Sequence, residues 1–409
     1  MTAFLTAARQ EGAAAFERLG GLPTTHQEAW RWTNVAPIGR IPFDPPAPSD
    51  AKVDLSALRM GAARLVFVDG RFAPDQSSMD GLPAGVRLRS LGEADPAVVE
   101  AMLGQLAKAA EHPFTALNAA HLSDGAVLEI DAGVQAPSPI ELVFASRAGA
   151  PASTHPRVLV RLGAGARAQV AEIYAGLSPG PYFTNAVTEV SLGEGAELEH
   201  ARIQVEGGGG YHVGSLWVAQ ARASRLRSHV FSLGALLARS DVSSRFDGEG
   251  GQCELHGLYV GQGSQHLDHH TSLDHKSPGC TSREVYKGIL DGRSRGVFTG
   301  AVRVREGAQK TDAAQSNKAL LLSEDASAEA TPQLQIFADD VKCAHGAAVG
   351  QLDDQALFYL RSRGIPLDRA RALLTRAFAE EVVQGLSVQA WQQRIELLLS
   401  LKLGGEVRA

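Results

Sequence analysis

Cys343 and His345 stand two residues apart in PQLQIFADDVKCAHGAAVG (332–350), a stretch that reads as a strand. Successive strand side chains point to opposite faces, so Val341, Cys343 and His345 share one face while Lys342 and Ala344 take the other. A soft sulfur donor and an imidazole that project together suit a thiophilic metal such as iron or zinc. Two ligands do not close a site, so the rest would have to come from elsewhere in the chain or from a partner. The plainer alternative is a buried thiol beside a histidine bonded to a neighbouring carbonyl.

A second polar cluster, QHLDHHTSLDHKSPGC (265–280), holds His266, Asp268, His269, His270, Asp274, His275 and Cys280. Imidazoles and carboxylates at this density could bind a transition metal, or could satisfy turn backbone on the surface of a β-coil. Cys253 and Cys280 read as small buried residues, and three cysteines are too few for a disulfide scaffold. The P-loop, GxGxxG, CxxC and HExxH patterns are all missing. A chain of this size with no catalytic constellation reads as a scaffold, not an enzyme.

The elements that must position these residues are bounded by composition. At 409 residues, 44% hydrophobic and 21% charged, the chain is an ordinary folded protein with room for several cores or one elongated repeat. Its net charge of -6 leaves no basic excess for nucleic acid. No apolar run is long enough for a membrane helix, and MTAFLTAARQEG lacks a basic start followed by a signal core, so the expected location is the cytoplasm.

Residues 1–113 read as a mixed α/β region. Phe4, Leu5, Ala8, Phe16 and Leu19 recur at helical spacing until Gly20, Gly21 and Pro23, and GLPTTHQEAWRWTN reads as a second short helix with Trp30 and Trp32. Pro42, Pro45, Pro46 and Pro48 predict an extended connector. In ARLVFVDGRFA (63–73), Asp69-Gly70 predicts a type I′ hairpin, and Val98, Val99, Met102, Leu103 and Leu106 predict a helix over 96–111.

Residues 114–338 are short β-type runs punctuated by glycine. Leu162-Gly163-Ala164-Gly165-Ala166 is echoed by Leu192-Gly193-Glu194-Gly195-Ala196. A sandwich, a barrel or a parallel solenoid could result, and the lack of helical crossovers favours the solenoid. Residues 339–409 give one more strand and then helices: 353–363 ending at Gly364, 368–384 ending at Gly385, and a last one capped by Ser387. The stripe Leu373, Leu374, Ala377, Phe378, Val382 and the stripe Trp391, Ile395, Leu398, Leu399 predict a small packed module or a docking surface.

TPQLQIFADDVKCAHGAAVGQLDDQALFYLRSRGIP closely resembles the end of SufD-type members of the SufB/SufD family, scaffold subunits of the SUF iron–sulfur cluster assembly machinery. GLPTTHQEAWRWTN, LVFVDGRFAPDQS and CTSREVYKGILDGRSRGVFTGAVRV agree with it. The resemblance implies a right-handed parallel β-helix flanked by an N-terminal mixed α/β region and a C-terminal helical region. It implies pairing with a SufB-like paralogue through the β-helix and with a SufC-like ATPase through the C-terminal helices, and a possible homodimer when isolated. His345 matches the family's histidine proposed as a ligand of a transient iron–sulfur cluster shared with SufB, and Cys343 matches its less certain neighbour. Gln351 to Gly364, with Leu357, Phe358, Tyr359, Leu360, Arg361 and Arg363, matches the segment presented to SufC. Many relatives have Ser where this chain has Ala344, on the opposite face. Three other readings stay open: a SufB-type paralogue, a β-helix carbohydrate-active enzyme using Asp268 and Asp274 as paired carboxylates, and a stand-alone metal-binding protein using the 266–280 cluster.

Overall fold

The computed structural model describes residues 3–47, 53–147 and 151–404; Pro48 of the expected connector lies outside them. The chain is mainly β and winds as a β-solenoid of about 8 turns, between an N-terminal α/β region and C-terminal helices. Two sheets face each other. Sheet one runs, in spatial order, Arg71–Phe72, Ala63–Val68, Ile140–Ser146, Arg167–Gly176, Glu197–Val205, Arg225–Ser232, Gln252–Gly261, Thr281–Leu290, Asp312–Leu321 and Lys342–Gly350. Sheet two runs Ser327–Ile336, Arg295–Val304, His266–His275, Leu237–Phe246, Gly210–Gln220, Tyr182–Leu192, Arg157–Leu162, Gly125–Ile130 and Val86–Ser90.

Each full coil gives one strand to each sheet, and neighbouring coils pair parallel and in register, as Leu162 with Leu192 and Leu198 with Leu226. Alternate residues therefore stack in columns inside the solenoid. Leu128, Val160, Val190 and Val218 form one such apolar stretch, and Phe67, Phe144 and Tyr174 stack ring on ring at 5.0 Å spacings. The glycine echo in the sequence marks a corner: Gly165 (φ 66°) and Gly195 (φ 63°) take the left-handed conformation on successive coils. The Asp69-Gly70 hairpin forms as expected, with positive φ at both residues and Phe67 opposite Phe72.

The N-terminal helix α1 (Ala3–Arg18) fits the expected pattern, but the next segment is a single 3₁₀ turn (Glu28–Trp30) followed by α2 (Ala36–Arg40). Packing overrides local propensity there. Trp30 is buried against Phe114, and the Arg239 guanidinium lies 3.7 Å from its ring centroid on the outer face of sheet two. The helix expected over 96–111 stops early: α3 is Pro96–Met102. The reason is Glu189, whose buried carboxylate accepts the amides of Gly104, Leu106 and Ala107 at 2.7, 2.7 and 3.0 Å and holds that turn out of the helix. α4 (Pro113–Ala120) packs on α1.

The C-terminal helices are α5 (Asp354–Ser362), α6 (Leu367–Gln384) and α7 (Gln389–Leu403). α6 and α7 lie on the outer face of sheet one, where Val382, Val383, Leu386, Trp391, Ile395 and Leu399 cover Ile203, Phe231, Leu258 and Ile289. This differs from a self-contained helical module. The buried residues of α6 are Ala370, Thr375, Ala379, Val382 and Val383, and Leu373 of the expected stripe is exposed, because a flat sheet sets the buried face. Ser387 is not the cap of α7, which begins after Val388; its amide and hydroxyl both donate to Glu199 on sheet one. No helix among the described residues is long and apolar enough to cross a membrane.

Candidate functional site

The strand Lys342–Gly350 is the last of sheet one and pairs on one side only, with Asp312–Leu321. Register sets Cys343 beside Ala313, His345 beside Gln315 and Ala347 beside Asn317. Ala313, Gln315 and Asn317 are inward-facing buried residues, so Cys343 and His345 occupy the inward columns at the point where the solenoid ends. Val341 and Cys343 pack on the end of the internal core, as the shared face requires. Cys343 is half-buried, and burial pushes its thiol above the ordinary value. His345 is exposed.

The neighbouring open edge is apolar at Ile336, Phe337 and Val349, all exposed. Only Gln351 to Asp353 separate the strand from α5, whose N-cap Asp353 accepts the amides of Gln355 and Ala356. α5 buries no residue. Phe358, 75% exposed, Tyr359, Arg361, Arg363 and Gly364 stand out from the surface, Gln351 is exposed as well, and Leu357 and Leu360 are half-buried. The Arg363 guanidinium lies 5.2 Å from the Tyr359 ring centroid and holds it on the helix face.

The interior behind the site is unusually polar. Glu172 is surrounded by Tyr174, Thr188, His200 and Arg202, with His200 Nε2 at 2.8 Å. Burial opposes its ionisation, yet Arg202 and His200 hold it far below the usual carboxylate range. Nearer the open end, Glu284 has no charged partner among the described residues, and burial pushes its carboxyl up to about 7. Gln315 donates to Glu284 through Nε2 and comes between it and His345 in the same column.

Strand alternation splits the 266–280 cluster. His269 and His275 face the interior, each held down to about 4 by burial. Asp268 and His270 face outward under the N-terminal region, where Asp268 accepts from Thr33 at 2.6 Å and Arg239 at 2.9 Å, while His266 meets Thr33 at 2.8 Å. Asp274 is tied to Arg305 at 2.8 Å. Asp268 and Asp274 are thus committed to cations of the fold. Among the described residues no group of three or more His, Cys, Asp or Glu side chains is placed to hold a metal ion. Cys253 and Cys280 are buried, as expected.

Two family profiles cover most of the chain: the SufBD protein N-terminal region matches residues 1–142, and the SUF system FeS cluster assembly SufBD core domain matches residues 144–378. The chain belongs to the SufBD family of iron–sulfur cluster assembly proteins. An iron–sulfur cluster assembly SufBD family protein of Synechocystis is 33% identical over 96% of this chain and 90% of the relative. The iron–sulfur cluster assembly protein SufD of Escherichia coli is 31% identical over 95% of this chain and 91% of its own length. A chloroplastic protein of Arabidopsis thaliana, ABCI7, is 34% identical over 66% of this chain and 59% of the relative.

In this SufBD protein the sequence-derived candidates Cys343 and His345 come together on one face, and the Gln351 to Gly364 segment follows them on an exposed helix. Sequence reading missed Gln315 and Glu284. The signal was present in the repeat itself, since the glycine corners already set the coil length, and one and two coils before His345 fall on those two residues.

Proposed function

We propose that this chain is a SufD-type scaffold subunit that turns over no substrate by itself and contributes half of a transient iron–sulfur cluster site. The observation that carries the reading is that a thiol–imidazole pair, Cys343 and His345, lies on the edge strand at the open end of the solenoid. A partner of the same architecture, a SufB-like paralogue, would continue the sheet past Lys342–Gly350 and bring the missing ligands. The cluster is cargo: His345 supplies an imidazole, Cys343 a thiolate once deprotonated, and neither closes a coordination shell alone.

The segment Gln351 to Gly364 around α5, with Gln351, Leu357, Phe358, Tyr359, Leu360, Arg361, Arg363 and Gly364, is the surface we assign to a SufC-like ATPase. Its aromatic and arginine content fits a hot-spot patch. Motion of that partner would reach the open end directly, because α5 follows the edge strand after a three-residue link. In isolation, the same edge would pair with a second copy. The expected compartment is the cytoplasm.

Co-expression with SufB-like and SufC-like partners, followed by affinity purification and metal and sulfide analysis, tests this reading. A ternary complex should carry iron and sulfide, and His345→Ala should lower both several-fold while the three chains still co-purify. Unchanged cluster yield in that variant removes the ligand assignment; failure of the chains to associate removes the partner assignment.

A further inference from the structure

Gln315 is buried, 3% exposed, in the inward column immediately beneath His345. Its amide reaches across the interior: Nε2 donates to Glu284 on the preceding coil, and a Cβ at Gly300 on the opposite sheet would lie 2.0 Å from that nitrogen. The glycine at 300 is what lets the amide occupy this position. With Nε2 committed to Glu284, the other end of the amide is a carbonyl oxygen, and Gln315 Oε1 is a buried acceptor with no hydrogen-bond partner. An unpaired buried acceptor is costly, and pairing it would recover stability. Neighbouring strands of a parallel, in-register sheet lie about 4.8 Å apart, so the next residue of the column along the open direction is His345.

We propose that Gln315 is a positioning residue for His345, accepting one ring N–H of the imidazole through Oε1. A histidine that donates one nitrogen to a fixed oxygen is held in one tautomer, and the opposite nitrogen then carries the lone pair that a metal needs. Glu284 acts one step further back by deciding which end of the Gln315 amide is presented. The chain of three, carboxyl to amide to imidazole, spans three successive coils and ends at the open edge. The metal-binding role of this arrangement rests on the reading of His345 as a ligand; the tautomer bias does not.

The test separates the two. The isolated full chain, labelled with ¹⁵N-histidine, gives the tautomer populations of His345 by NMR, with His345→Gln identifying its signals. The wild-type chain should show one dominant neutral tautomer. Gln315→Met, nearly the same shape without the acceptor, should shift the ratio by about fivefold toward an unbiased mixture, the change expected for one hydrogen bond. The exchanged pair Glu284→Gln with Gln315→Glu keeps an acceptor at 315 and a donor at 284, and should restore the bias. Gln315→Leu serves as the second variant if the methionine chain does not fold. An unchanged ratio in the folded variant overturns the proposal. In the complex with its partners, Gln315→Met should lower bound iron less than His345→Ala does. If His345→Ala leaves iron untouched while the tautomer ratio responds to Gln315, the ligand reading fails and the positioning contact stands.

Discussion

The two ends of the solenoid are finished differently. At the first end, sheet one closes with the antiparallel pair Ala63–Val68 and Arg71–Phe72, and sheet two closes with Val86–Ser90 antiparallel to Gly125–Ile130. α3 and its flanking residues then add a layer of Leu91, Val99, Met102 and Leu103 over Val127 and Leu159, with Phe4, Leu5 and Ala8 of α1 packed against it. At the other end, Ser327–Ile336 and Lys342–Gly350 are the last strands of their sheets, and Ile336, Phe337 and Val349 are exposed beside them. A repeat protein needs a cap where it meets water, and an uncapped edge with apolar neighbours is a pairing surface. On the function proposed above, the closed end serves stability and the open end serves assembly.

That division is broken most easily at the closed end. Arg157 donates to Glu189 at 2.6 Å, and both are almost fully buried. Arg157→Ala strands a buried carboxylate and should cost about 3–5 kcal/mol in denaturant unfolding. A loss below about 1 kcal/mol would show that the first coils do not depend on this pair.

A smaller effect is expected from acid on the interior. His269 and His275 stay neutral in the fold down to about 4, against an ordinary value of 6.5. As pH falls from 6.5 to about 4, the unfolded chain takes up protons that the folded chain refuses, so stability falls across that window and levels off below it. Each histidine contributes a loss of up to about 3 kcal/mol. Glu284 has the opposite sign: its carboxyl is raised to about 7, so the stability it contributes is present below 4.5 and is lost as pH rises through 7. His269→Phe, which keeps the ring between Tyr259 and Tyr286, should flatten the acid loss in a thermal midpoint series at pH 7 to 4. An unchanged slope would mean that His269 already titrates normally in the fold.

The smallest change in stability belongs to the open end. Val349→Lys places a charge on the exposed edge and should alter unfolding by no more than about 0.5 kcal/mol. It should nonetheless weaken pairing, read as a shift from dimer to monomer in sedimentation of the isolated chain and as loss of the SufB-like partner in purification. A marked loss of stability with pairing intact would reverse the assignment of the two ends.

Much of this was legible in the residues. The solenoid was favoured over a sandwich or a barrel by the lack of helical crossovers between the glycine-cornered runs and implied by the family resemblance, and the shared face of Cys343 and His345 followed from strand alternation alone. Long-range choices were not legible. Nothing local to 96–111 shows that Glu189 will claim its amides, and nothing in the α6 pattern shows that a sheet, not another helix, will be its neighbour. The 266–280 cluster could be read as one metal site or as a polar coil surface because sequence density ignores the two faces of a strand. Gln315 and Glu284 escaped notice for the converse reason: they lie far from His345 in sequence and next to it in the column.

The central claim is that the open end supplies one imidazole ligand to a cluster completed by a partner. The most direct measurement is pulsed electron paramagnetic resonance of the reduced, cluster-loaded complex in which this chain alone carries ¹⁵N-histidine. Ligation by His345 gives a ¹⁵N hyperfine coupling that disappears with His345→Ala. A cluster with no such coupling, or with one that survives the substitution, would contradict it.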